Sequence, residues 1–156
     1  MSSQNKLDQY YMSLALRVAE LSHGVRGKVG SCLVTENDVT ILSCNGLPKD
    51  LGNVLEELRP YEPTNGVVIK GFQLVSKSEV IHAELNAILK CAKEGVSVKG
   101  ATIYTTLSCC SQCASMLASC GVKRVVFLEE YRDTKGIEIL EKCGIIVEKL
   151  DSEFKK

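Results

Sequence analysis

The sequence has no excess charge of either sign: 19 lysines and arginines stand against 19 aspartates and glutamates among 156 residues. A neutral chain with no basic tail beyond Lys155-Lys156 points away from nucleic acid as an obligatory partner, since polyanion binding needs a clustered basic face. There is no apolar run near the roughly 20 residues that span a bilayer, and the opening Met-Ser-Ser-Gln-Asn-Lys has no apolar signal segment. No membrane association is expected, and the expected location is cytoplasmic, the host's cytoplasm if the source is viral. Repeats and low-complexity stretches are also missing, so residues 1–156 are expected to form a single domain, long enough to bury roughly 70% of its unfolded surface. Cysteine, by contrast, is abundant, with eight in the chain. In a reducing compartment these serve as metal ligands or small core residues rather than disulfides.

Apolar positions from Asp8 to about His23 (Tyr11, Leu14, Ala15, Val18, Ala19, Leu21) recur at three- and four-residue steps, which predicts an amphipathic helix ended by Gly24. Val29–Thr35 and Val39–Cys44 read as two strands of a hairpin turned by Glu36-Asn37-Asp38. Between helix and hairpin, Gly24-Val25-Arg26-Gly27-Lys28 brackets two cations with glycines. Two readings stand there, a backbone nest for phosphate or a solvated connector. From Asn45 to Ile81 the pattern is poor. Asp50–Leu58 reads as a short helix stopped before Pro60, and Val67–Val75 as a strand or buried loop. A connection of this length is expected to serve as a lid or subunit contact, and without cysteine or histidine it is expected to hold no second metal.

Regular signals return at His82. A helix is predicted from there to Gly95, then a strand at Ala101–Thr106, a helix at Cys110–Cys120, a strand at Val122–Leu128, a helix at Thr134–Cys143 and a strand at Ile145–Val147. This alternation after the hairpin implies parallel strands with crossover helices, hence an α/β fold with a mixed sheet between helices.

Two short stretches carry the chemistry. His82-Ala83-Glu84 opens one helix, and Cys110-Ser111-Gln112-Cys113 opens the next. At helix N-termini the partial positive charge favours thiolate over thiol. Cys110 and Cys113, three apart, share a face. An imidazole and two thiolates compensate Zn2+ and leave its fourth position for water, while Glu84 lies where it can serve as the acid/base. Alone, a Cys-x-x-Cys is as often structural or redox-active. A closed structural zinc site, however, needs a fourth protein ligand, and neither His23 nor Glu84 is an obvious one. Cys91 reads as core.

In this order the stretches resemble the zinc-dependent nucleotide deaminases with their His-x-Glu and Pro-Cys-x-x-Cys signature, and within them the deoxycytidylate (dCMP) deaminases. Further likeness lies in Val29-Gly30-Ser31, Asn45-Gly46-Leu47-Pro48, Ile81 to Ile88, Tyr104 to Cys113 and Glu129-Glu130-Tyr131. The resemblance implies a cytidine-deaminase-like three-layer α/β/α fold with a five-stranded mixed sheet. It implies hydrolysis of dCMP to dUMP and ammonia, supplying dUMP for thymidylate synthesis, by a homohexamer with one catalytic zinc per chain. By match, His82, Cys110 and Cys113 bind zinc and Glu84 is catalytic. Asn45 would meet the sugar, the Ala83 backbone the base, and Arg26 and Tyr131 the phosphate.

The sequence departs from the pattern at Cys109, where the family has proline, and at Cys44, where it often has tyrosine. A register shifted to Cys109 is the alternative ligand set, although one step on a helix turns that thiolate about 100° from the face of Cys113. Other readings are a deaminase acting on dCTP, cytidine, cytosine or tRNA adenosine, and a non-catalytic zinc-stabilised interaction module.

Overall fold

A computed structural model describes residues 2–62 and 70–151. Helix α1 (Ser3–Ala19) is started by Ser2, whose hydroxyl accepts the Asn5 N–H at 3.1 Å. It stops four residues before the predicted His23. Leu21, counted in the apolar stripe, is in fact 71% exposed. Ser22 turns the chain instead: its hydroxyl accepts the Gly24 N–H and donates to the Asn45 carbonyl.

The predicted hairpin is present as β1 (Gly30–Val34) and β2 (Thr40–Cys44), paired antiparallel. Beyond it the expectation of a helix at Asp50–Leu58 fails. Lys49–Leu51 makes a single 3-10 turn, and Glu56–Pro60 is a strand, β3, paired antiparallel with β4 (Phe72–Ser76) in a separate two-stranded sheet. Leu51, Val54 and Leu58 are 55%, 68% and 68% exposed and Leu55 alone of its apolar residues is buried, so the segment has no apolar helical face to bury. Of the predicted Val67–Val75 strand, residues 67–69 lie outside the described residues, and the remainder falls largely within β4.

The second half follows the predicted order closely. It runs α2 (Ala83–Glu94), β5 (Thr102–Leu107), α3 (Ser111–Ser119), β6 (Arg124–Glu129), α4 (Lys135–Lys142) and β7 (Ile146–Lys149). Gly95 ends α2 as foreseen: its φ of 69° is left-handed, and the Val96 N–H returns to the Cys91 carbonyl.

The main sheet has five strands in the order β2-β1-β5-β6-β7. β1 is antiparallel to β2 and β5, while β5, β6 and β7 are parallel. Because side chains alternate across a strand, Cys32 and Leu33 enter opposite cores. Cys32, Tyr104, Val126 and Leu128 meet Met12 and Ala15 of α1. Leu33, Ile103 and Val125 meet Ala87, Ala114, Leu117 and Leu140 of α2, α3 and α4. These layers are the expected α/β/α arrangement. All eight cysteines are free, with Cys32, Cys91 and Cys109 in the cores. Among the described residues no helix is long and apolar enough to cross a membrane.

Candidate metal centre and substrate pocket

β5 and β6 end side by side, next to the point where the sheet passes from parallel to antiparallel pairing at β1. Ligands of open α/β sheets bind beyond the carboxyl ends of the strands. From the end of β5 the chain runs through Ser108 and Cys109 to Cys110, which caps α3, and from the end of β6 it runs to Tyr131. The Tyr131 N–H bonds the Ser108 hydroxyl at 2.7 Å, joining the two loops. On the other side, Ile81 and Gly46 exchange both backbone hydrogen bonds, at 2.8 and 3.1 Å. That bridge sets His82, the cap of α2, against the end of β2.

His82 Nδ1 lies 3.5 Å from the sulfurs of both Cys110 and Cys113. An ideal tetrahedral zinc site with Zn–N and Zn–S bonds of ordinary length has N···S edges of about 3.5 Å. One nitrogen and two sulfurs at these separations therefore fit a tetrahedral, borderline-soft cation. Among the described residues these are the three whose ligand atoms lie within 4.8 Å of one another; Glu84 stands outside the group. Cys110 Sγ also accepts the Cys113 N–H, so one sulfur doubles as the α3 cap. Hydrogen bonds from the Cys113 thiol and the His82 ring hold Cys110 well below the usual thiol range. Sharing that proton and burial push Cys113 up. The same contact with Cys110 raises the His82 ring.

Glu84 is buried, and burial raises its carboxyl above the ordinary value. The Thr105 hydroxyl approaches Oε1 at 3.4 Å while donating to the Leu107 carbonyl at 2.9 Å. Cys109, which the alternative register would make a ligand, is 1% exposed, and burial together with the nearby Glu84 carboxylate raises its thiol well above the ordinary value. The cluster of close donor atoms contains Cys110 and not Cys109. Ala83, between histidine and glutamate, turns its carbonyl inward to the hydroxyls of Ser31 (2.9 Å) and Ser43 (2.7 Å). Its N–H belongs to the first helical turn, which the helix leaves unpaired.

His82, Ala83, Glu84 and Cys110 line a cavity of about 350 Å³ whose walls include Arg26, Asn45, Tyr131 and Arg132. Cys113 lies outside that lining, against His82. Asn45, though, already uses its amide within the chain: Oδ1 accepts the Val29 N–H at 2.9 Å and Nδ2 donates to the Gly27 carbonyl at 3.1 Å. The basic loop is exposed from Val25 to Lys28, as the solvated-connector reading has it, and its backbone does not form the phosphate nest of the other reading. The N–H groups of Val25 and Arg26 converge, but on Glu56 Oε1, at 2.8 and 3.1 Å. Arg132, stacked over Tyr131 at 5.6 Å, went unread although it adjoins a residue that was singled out. Glu56 left no sequence signal, because its partners are main-chain groups some 30 positions away.

Residues 5–129 match the cytidine and deoxycytidylate deaminase zinc-binding region. The chain belongs to the cytidine and deoxycytidylate deaminase family. The deoxycytidylate deaminase of Mus musculus is 30% identical over 154 residues, covering 95% of this chain and 82% of that protein. The deoxycytidylate deaminase of Enterobacteria phage T2 is 50% identical over 74 residues, 46% of this chain and 39% of that protein. Among solved structures, the dCMP deaminase of cyanophage S-TIM5 in complex with dCMP and dUMP superposes with a TM-score of 0.78 at 32% identity. That superposition covers 96% of this chain and 99% of the other. The His/Cys/Cys group falls within the zinc-binding region of this deaminase family.

Proposed function

We propose that this chain is a zinc-dependent dCMP deaminase, converting dCMP and water to dUMP and ammonia. The observation that carries the reading is the three-donor group, spaced for a tetrahedral cation, beside a buried carboxylate that is not part of it. A closed structural site would have no use for that carboxylate. His82 Nδ1, Cys110 and Cys113 would hold one zinc ion per chain, which when bound makes water a strong nucleophile near neutral pH.

Glu84 takes a proton from the attacking water and delivers it to the departing amino group. A carboxyl raised by burial suits both halves of that transfer. The Ala83 N–H donates to the base. Asn45 lines the sugar side. Arg26, Tyr131 and Arg132 face the phosphate, where two guanidinium groups offer planar donor forks.

The catalytic unit in this reading is a homo-oligomer, a hexamer by family resemblance, working in the cytoplasm within pyrimidine nucleotide biosynthesis. Support for assembly comes from the β3–β4 hairpin. Leu58 opposite Leu74 and Pro60 opposite Phe72 form an apolar ladder on the face that they share with the Glu56–Ser76 rung, with Leu58 and Phe72 68% and 67% exposed. Glu57, Arg59, Gln73 and Val75 occupy the other face, and the exposed ladder is the side that suits a protein partner.

An ammonia-release assay on zinc-loaded protein, comparing dCMP with deoxycytidine, CMP, dCTP and a tRNA stem-loop, tests the reading. Strong preference for dCMP is the expected result. Turnover of none of them, with one zinc per chain, would replace the enzyme by a non-catalytic interaction module.

A further inference from the structure

One rung of the hairpin grips the basic loop from two directions. Glu56 and Ser76 are directly paired at the open end of β3–β4. Glu56, 8% exposed, accepts the N–H groups of Val25 and Arg26 on a single oxygen. Across the rung, the Ser76 hydroxyl lies 3.5 Å from Arg26 Nη1. The rung is itself fixed, since Leu55 beside it is buried and its carbonyl takes the Lys77 N–H at 2.9 Å. Asn45 pins the loop downstream at Gly27 and Val29, which leaves Glu56 as the tie at Arg26 itself. A carboxylate accepting two N–H groups makes charge-assisted bonds, the stronger kind.

We propose that Glu56 is a positioning residue for substrate recognition: with Ser76 it sets the backbone and side chain of Arg26 at the mouth of the pocket and thereby favours phosphorylated over unphosphorylated substrate. This rests on the deaminase reading above. Glu56 touches no reacting atom, so its loss acts on binding of the charged end and leaves the Glu84 chemistry alone. An arginine free to swing loses the geometry that makes its fork effective.

The test uses the zinc-loaded full chain as wild type, Glu56→Ala, Glu56→Gln and Ser76→Ala, with dCMP and deoxycytidine as substrates. In parallel, limited trypsin digestion is mapped at the bonds after Arg26 and Lys28. Glu56→Ala should raise KM for dCMP about tenfold with kcat within about threefold and deoxycytidine kcat/KM within about twofold. Cleavage in the loop should quicken about tenfold, because local opening is what exposes the bond. Glu56→Gln keeps an acceptor oxygen and should recover most of both effects, while Ser76→Ala should show a smaller rise in KM.

Equal losses on both substrates, or an unchanged KM for dCMP, would overturn the proposal. Should Glu56→Ala fail to fold, the Gln and Ser76 variants decide it by the same KM split. If wild type deaminates neither substrate, it is the deaminase reading that fails, and unchanged loop cleavage in the Glu56 variants would then separately exclude the tie.

Discussion

Arg124 holds Asp8 with both terminal nitrogens, Nη1 to Oδ1 at 2.7 Å and Nη2 to Oδ2 at 2.8 Å. The pair joins α1 to β6, and both side chains are nearly out of solvent, at 14% and 9% exposure. Tyr104 and Gln4 donate to the same carboxylate, and Glu148 takes the far side of the guanidinium. Breaking one partner of a buried pair strands the other charge. Asp8→Ala should therefore cost about 3–5 kcal/mol in denaturant unfolding.

The same carboxyl gives a pH dependence. Burial by itself raises Asp8, but hydrogen bonds from Arg124, Gln4 and Tyr104 outweigh it and hold the group below its ordinary value of 3.8. A depressed folded-state value means stability that is complete above the ordinary carboxyl range and lost as pH falls through the folded one. Melting temperatures between pH 2.5 and 6 should drop more steeply for wild type than for Asp8→Asn. Parallel curves would remove Asp8 from the acid sensitivity.

Replacing Glu84 by Gln removes the proton carrier and keeps the shape. Turnover of dCMP should fall by roughly 10²–10⁴-fold, with zinc content and unfolding midpoint close to wild type. Retained turnover would take Glu84 out of the mechanism.

The thiols should sort by environment. Cys143 is exposed and should react first with a disulfide reagent. Cys32, pushed up to about 12 by burial, and Cys91 and Cys109 in the core should react only on unfolding. Stripping zinc with dipicolinate should add one readily reactive thiol, the half-buried and lowered Cys110, while the buried and raised Cys113 should stay slow. Substituting Cys113 by Ser should lower bound zinc well under one per chain.

The ladder on the β3–β4 hairpin yields a prediction about assembly. Leu58→Lys with Phe72→Lys should shift the light-scattering mass toward that of one 17.0 kDa chain. An unaltered oligomer would place the interface elsewhere.

What the sequence made legible follows from where its signals act. From His82 onward, helices and strands alternate between glycine stops at Gly95, Gly121 and Gly144, and the observed elements differ from the expected ones by a residue or two. The three-donor cluster was legible because short-range spacing puts Cys110 and Cys113 together and helix starts place His82 near them. The β3–β4 hairpin was not, since Leu58, Phe72 and Leu74 are exposed and leave no alternation toward a buried face. Glu56 was illegible for a related reason. It caps main-chain groups of a distant loop, and any acceptor on that rung would look the same in the sequence.

The order of the strands places the reaction and its selectivity in different parts of the chain. His82, Glu84, Cys110 and Cys113 come from one continuous stretch, the starts of α2 and α3 on either side of β5. The pocket walls come from outside it, Arg26 and Asn45 earlier and Tyr131 and Arg132 later. In the proposed reading, rewriting the walls would alter what is admitted without disturbing the donor cluster, so a lineage carrying this architecture could change substrates by small loop changes and inherit its catalyst intact.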